Sequence, residues 1–258
     1  MNTPEAPPPQ HIIAPTTRFT DRAADYAKYR PSYPTAAIDA LLAGLGEPSR
    51  ITAADIGAGT GISSRLLADR GVRVIAIEPN AAMRDAATPH PNVSWRDATA
   101  EATGLDDRSV ELVLCAQAFH WFNPPVALRE FHRVLRRGGR LALMWNNLDT
   151  SDPCSAAYKQ TFIDAGGQYI GTQRDFDPQA LRDSANYTDV RTQEFPSEQR
   201  LDADGLIGRA MSASYAPKQG PGAQRLRDDL LALHARYAQS DGRVTLRYLA
   251  RVHLGTAV

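Results

Sequence analysis

The chain is short of lysine, cysteine and long apolar runs, and each shortage removes a class of function. Lysine occurs only at Lys28, Lys159 and Lys218, and 29 basic residues face 29 acidic ones for a formal net charge of zero. A balanced chain lacks the positive field with which proteins grip nucleic acid phosphates or anionic membranes, so neither partner is expected. Two cysteines, Cys115 and Cys154, cannot build a disulfide framework or a four-ligand metal site. The histidines apart from His120 are scattered without ligand spacing, so no metal is expected. No apolar run reaches membrane-spanning length, and no basic segment followed by an apolar one marks a secretory signal. The default is a soluble, cytoplasmic protein, either a monomer or a homodimer. No P-loop and no nucleophile elbow appear, which argues against phosphate cradling and against hydrolase chemistry.

What remains is an alternating pattern. Residues 1–18 hold Pro4, Pro7, Pro8, Pro9 and Pro15 and read as a disordered tail. Ile38, Leu41, Leu42 and Leu45 recur at helical spacing, with Ser32 or Thr35 as caps and Gly44 and Gly46 as stops. From residue 50 the rhythm changes. Apolar runs at Ile51–Ile56, Val72–Ile77, Val93–Arg96, Val110–Cys115 and Leu141–Trp145 read as strands. Between them lie helices carrying Leu66 and Leu67, Ala81 to Ala87, and Val126 to Leu135, the last ended by Gly138-Gly139. Near-continuous apolar strands alternating with helices imply right-handed crossovers and a doubly covered, mostly parallel sheet. Beyond Asn147, residues 152–165, 202–214 and 223–237 read as helices, and Val190–Leu201 and Val244–Leu254 as strands.

The most informative stretch is Asp55-Ile56-Gly57-Ala58-Gly59-Thr60-Gly61. It follows a strand and opens a helix, where glycines let the backbone turn sharply and a ligand approach without meeting a Cβ. A ligand-free tight turn would need one or two glycines, not three. Glu78 stands at the tip of the next strand, where a carboxylate can accept from both hydroxyls of a ribose. A dinucleotide fingerprint asks for a small residue where this chain has Ile62. A nucleoside without a pyrophosphate fits better.

These residues resemble the cofactor site of the class I S-adenosylmethionine-dependent methyltransferases. The resemblance runs on through Glu78-Pro79-Asn80 with Met83, Asp107–Val113, Gln117–Phe122 and Leu135–Gly139. Within that superfamily, the Gln117–Trp121 segment and the opening Tyr29-Arg30-Pro31 are similar to the branch holding trans-aconitate methyltransferases and other small-molecule enzymes. It implies a Rossmann-like α/β fold, doubly wound, with seven strands, helices on both faces and the last strand antiparallel. It also implies one methyltransferase domain over residues 19–258, with substrate-side helices drawn from 19–46 and 149–240. Its cofactor would be S-adenosyl-L-methionine. Gly57, Ala58, Gly59 and Gly61 would lie against the methionine part, Asp55 would face the ammonium, and Arg30, with Tyr26, would pair with the carboxylate. Glu78 would hold the ribose diol. Pro79 and Met83 would pack on adenine, Thr99 and Ala100 would edge it, and Gln117 would complete the site. Thr99 departs from the acidic residue common there.

Transfer of a methyl group from a sulfonium needs alignment and exclusion of water more than acid–base help, so a catalytic constellation need not be visible. His120 is the candidate base, just past the fourth strand at the rim where open α/β sheets bind ligands, with Phe119, Trp121 and Phe122 as apolar walls. A histidine packed at a helix start reads equally well. Trp145, Asn146, Asn147, Arg209, Ser212 and Tyr215 lie where an acceptor would sit. The expected function is methylation of a small molecule, on oxygen. A nicotinamide-dependent oxidoreductase and a non-catalytic nucleoside-binding module are the alternatives.

Overall fold

The computed structural model describes residues 23–166, 177–213 and 215–258, without the side chains of residues 24 and 25; the expected tail over residues 1–18 lies outside them. Five strands run parallel: β1 (Thr52–Ile56), β2 (Arg73–Ile77), β3 (Val93–Arg96), β4 (Val110–Ala116) and β5 (Leu135–Leu148). β7 (Val244–Ala257) is antiparallel to β5, and β6 (Tyr187–Leu201) pairs antiparallel with β7 at the edge. Among the described residues these form one seven-stranded sheet in the order β3-β2-β1-β4-β5-β7-β6. The mostly parallel sheet with an antiparallel last strand is therefore present.

Burial on both faces explains the continuous apolar strands. On β4, Leu112 and Leu114 turn to one face and meet α2 (Thr35–Leu42) and α3 (Ile62–Ala68). Val113 and Cys115 turn to the other, toward α5 (Pro124–Val134) and α7 (Gln179–Arg182). On α5 the buried residues Ala127, Phe131 and Val134 fall on one stripe at helical spacing. A third core joins α6 (Pro153–Asp164), α8 (Ala203–Met211) and α9 (Gly220–Tyr237) to Leu246 and Tyr248 of β7. Tyr248 pairs with Leu148, the last residue of β5, so this third core caps the carboxyl edge of the sheet. α1 (Ala23–Tyr29) and α4 (Ala81–Asp85) complete the helices used below. No helix among the described residues is long and apolar enough to cross a membrane.

Several boundaries differ from the sequence reading, two of them beside register shifts in the sheet. The helix expected to run through Leu135 to Gly138-Gly139 ends at Val134, and Leu135 begins β5 opposite Val110. The glycine pair serves a bulge in the strand, where register shifts between Val110 and Leu112. A Cβ at Gly139 would meet the Arg136 and Glu111 carbonyls at 2.8 and 3.1 Å. β6 starts three residues earlier than expected, at Tyr187, with a second register shift between Thr188 and Arg191.

Candidate functional site

Chain order reverses between β1 and its two neighbours, β2 and β4. At such a switch point the crossovers leave in opposite directions and a crevice opens beyond the carboxyl ends of the strands. A cavity of about 340 Å³ lies there. The turns after β1, β2, β3 and β4 supply its walls, and Tyr26 of α1 closes one side.

The first wall is the glycine turn. Gly57 and Ala58 donate their N–H groups to the Ile77 carbonyl at 2.9 and 3.1 Å, which pins the turn against the end of β2. Gly57 has φ +71°, and a Cβ there would lie 2.6 Å from the Ala118 Cβ and 2.9 Å from the Phe122 ring. Its bare backbone is thus required by the turn after β4. Gly59 lines the cavity, and a Cβ on it would meet Met83 at 3.2 Å. Gly61 caps α3 in the left-handed conformation and abuts Trp95, 3.0 Å from where its Cβ would be. Ala58 and Gly61 shape the turn and are not among the residues lining the cavity.

Two carboxylates frame the turn. Glu78, 9 % exposed, accepts from Gly59 N–H through Oε2 and from Asn80 N–H through Oε1, both at 2.9 Å. Each oxygen keeps a lone pair, so a vicinal diol can still be accepted. Burial raises the Glu78 carboxyl above its ordinary value, against the pull of those two N–H groups and of Arg84. Asp55 is fully buried. Its Oδ2 accepts from the Ser63 and Ser64 hydroxyls at 2.7 and 2.6 Å, while Oδ1 has no partner among the described residues. Burial lifts this carboxyl to about 6, the serine hydroxyls opposing the rise. Thr60 Oγ is likewise buried and unpartnered. Oδ1 keeps acceptor capacity, but Asp55 lies behind the glycine turn and is not among the residues lining the cavity.

The remaining predicted residues divide. Tyr26, Pro79, Met83, Thr99, Ala100 and Gln117 line the cavity with Gly57, Gly59 and Glu78. Gln117 takes a positive φ of 59° at the end of β4, a conformation uncommon for a residue with a side chain. Its side-chain amide donates to the Asn146 carbonyl at 3.2 Å. Arg30 does not line the cavity; it lies 4.7 Å from the centre of the Tyr26 ring and donates from Nη2 to the Ser212 carbonyl at 3.2 Å. His120 sits in a single 3-10 turn, Phe119–Trp121, half-buried, with its ring 4.9 Å from that of Trp121. Trp121 and Phe122 reach the cavity; His120 is not among its lining residues.

Several lining residues escaped the sequence reading. Glu101 enters two positions after Thr99 and accepts from the Asn123 N–H at 2.9 Å, tying the turn after β3 to the turn after β4. Ala118 and Asn123 also line the cavity. Glu101 follows no strand end, so only an acid near Ala100 hinted at it. On the acceptor side, Asn146 donates to the Ser32 carbonyl at 3.1 Å, whereas Trp145 turns to the opposite core, its ring 5.8 Å from that of His253.

Comparison with known proteins agrees with this geometry. Residues 54–143 match the family described as a methyltransferase domain. An uncharacterized methyltransferase of Mycobacterium tuberculosis is 37 % identical over 236 residues, covering 87 % of this chain and 89 % of its own. An uncharacterized methyltransferase of Schizosaccharomyces pombe is 39 % identical over 137 residues, covering 52 % of this chain and 55 % of its own. A solved structure assigned as a type II methyltransferase from Anaeromyxobacter dehalogenans superposes with a TM-score of 0.66 at 27 % identity, covering 88 % of this chain and 98 % of that one.

Proposed function

The chain belongs to the class I S-adenosylmethionine-dependent methyltransferases, and from that premise we propose that it methylates a small-molecule acceptor, on oxygen, by in-line displacement. The carrying observation is the cavity at the β1/β4 switch point, lined by the glycine turn and by Glu78, whose two oxygens are already oriented by backbone N–H groups. The reading places the enzyme in the cytoplasm as one catalytic domain over residues 19–258, its acceptor side built from 19–46 and 149–240. Similarity of Gln117–Trp121 and of Tyr29-Arg30-Pro31 to the trans-aconitate methyltransferase branch supports a small acceptor. Membership in the family sets the nicotinamide alternative aside.

The residues present fit the cofactor. Glu78 would take the ribose hydroxyls on its spare lone pairs, and Asp55 would act on the ammonium group through water. Arg30 would approach the carboxylate from behind Tyr26. Pro79, Met83 and Ala100 would enclose the adenine, and Gly57 and Gly59 would let the chain pass close beneath. When bound, S-adenosyl-L-methionine supplies a methyl group on a positively charged sulfur. The protein's part is then alignment and exclusion of water by Tyr26, Trp121 and Phe122. His120, if an acceptor hydroxyl comes within reach, would take its proton.

Calorimetric titration tests the cofactor half: S-adenosylhomocysteine should bind, and Glu78→Ala should weaken it by about 1–3 kcal/mol through loss of charged hydrogen bonds. Unchanged affinity removes Glu78 from the ribose site. The acceptor half is tested by following release of S-adenosylhomocysteine with pools of hydroxylated small molecules, amines, RNA and protein. Turnover confined to the amines or to macromolecules would overturn the proposal.

A further inference from the structure

Outside the cofactor cavity, the most demanding feature is a buried cation without an anion. Arg209, on α8, is 6 % exposed. Its Nε and Nη1 have no hydrogen-bond acceptor among the described residues. The titratable groups acting on it are phenols, those of Tyr248, Tyr158 and Tyr215, and the Tyr248 hydroxyl also hydrogen-bonds the guanidinium. Its guanidinium carbon lies 6.0 Å from the centre of the Tyr248 ring. Phe162 extends the aromatic wall, 5.2 Å from Tyr158 and 5.1 Å from Tyr215 between ring centres. A guanidinium removed from water and left with two idle donors carries an uncompensated desolvation cost, which an apolar residue of similar size would not. Leu206 and Ala210, beside it on the same helix, are apolar and fully buried, so packing of the cap does not itself require a charge here.

Its position connects it to the reaction. Arg209 stands against Tyr248, which faces the end of β5 at the carboxyl edge of the sheet. The Ser212 hydroxyl donates to the Arg209 carbonyl at 2.8 Å, and the Ser212 carbonyl accepts from Arg30, which lies on the ring of Tyr26 in the cofactor wall.

We infer that Arg209 is the anion receptor of the acceptor site, and that the methyl acceptor is an aromatic compound whose carboxylate is held by this guanidinium, beside the rings of Tyr158, Tyr215 and Tyr248. The inference rests on the small-molecule methyltransferase reading above and narrows it. One buried positive charge calls for one negative charge, which favours a carboxylate over a phosphate dianion. Arginine binds a carboxylate through its planar donors, and the flat rings beside it suit a flat ligand.

The test uses the full chain saturated with S-adenosylhomocysteine, whose binding is first measured by calorimetry. Ligand-observed fluorine NMR then compares 4-fluorobenzoate and 4-fluorocinnamate with their primary amides and with 4-fluorophenyl phosphate. At least one acid should bind about tenfold or more tighter than its amide, because the amide leaves the buried donors facing a neutral group. Arg209→Met should abolish that preference while leaving the ligand-free Tm equal or higher. Arg209→Lys, which keeps the charge and loses the planar donors, should retain the preference at reduced affinity. The proposal is overturned by equal binding of acids and amides, by binding of neither, or by a stronger response to the phosphate. It is also overturned if Arg209→Met keeps the preference or lowers Tm by several degrees, the signature of a structural charge. Failure of S-adenosylhomocysteine to bind would instead count against the cofactor reading.

Discussion

Asp55 carries the sharpest consequence at the scale of single residues. Its carboxyl is lifted by burial from 3.8 to about 6, so the native state holds the proton more tightly than the unfolded chain does. Ionising it therefore costs stability, and the ligand-free protein should lose stability as pH rises through that window. On the proposed reading, a ligand ammonium group acting on Asp55 through water would favour the charged form. Affinity for S-adenosylhomocysteine should accordingly fall below about pH 6, and Asp55→Asn should flatten much of that dependence. Glu78, also raised by burial, would supply the residual slope. Calorimetry across pH 5 to 8 reads both effects. A wild-type profile that Asp55→Asn leaves unaltered would detach this carboxyl from the ligand.

At this scale the sequence was legible where a residue type met a strand end. Glu78 follows four apolar residues, and the glycines follow five strand residues, so their placement could be read directly. Gly61 was read as a cofactor contact, yet it is needed for its left-handed backbone and for the Trp95 ring. Such a reason depends on a residue 34 positions away in the chain, which no local pattern announces.

Between elements, glycine controls two close approaches. The turn after β1 touches the turn after β4 through Gly57 and Ala118, with room for no further carbon. Gly57→Ala should cost about 2 kcal/mol or more in urea unfolding, from the positive φ and the clash together. Adding Ala118→Gly should return part of it. On α8, Gly208 faces Tyr29 of α1, and a Cβ there would lie 2.5 Å from the ring. Helix propensity alone would make Gly208→Ala stabilising by about 0.8–1 kcal/mol. Here it should instead lift α1, speed amide exchange in residues 23–30 and weaken S-adenosylhomocysteine binding through Tyr26.

Strands β1, β2 and β4 were readable because both of their faces are buried, whereas β3 is a short, half-exposed edge strand. The extent of β5 was not readable. Leu135 continues the apolar stripe of α5, and Gly138-Gly139 looks like a helix stop, yet pairing with Val110 draws Leu135 into the sheet. The polar strand β6 tolerates Pro196 because it lies at the sheet edge.

Across the whole molecule, acid stability depends on a latch far from the ligand. Glu130 accepts from Arg133 and from the Thr103 N–H and hydroxyl, while Arg133 also donates to the Leu105 carbonyl at 2.8 Å. Hydrogen bonds from Arg133 are the main cause that draws the Glu130 carboxyl from 4.5 down to about 2. A depressed carboxyl contributes stability that is complete above its unfolded value and lost as pH falls through the folded one. Glu130→Gln should therefore lower the urea midpoint at neutral pH and shrink the loss seen between about pH 4.5 and 2. Because Asp55 slopes the other way, ligand-free protein should be most stable on the mildly acidic side, near the crossing of the two. The latch holds Thr103, two residues beyond the Ala98–Glu101 segment that lines the cavity.

The placement of α1 bears on how the two proposed ligands would influence each other. This helix puts Tyr26 against the cofactor cavity and Tyr29 against Gly208 of the cap, and the Gln199 side chain donates to the Tyr29 carbonyl at 3.0 Å. The same seven residues thus wall the cavity beside the glycine turn and brace the helical cap. Opening one loosens the other. On the reading proposed above, whatever shifts this helix should act on both ligands at once, so their affinities should be coupled.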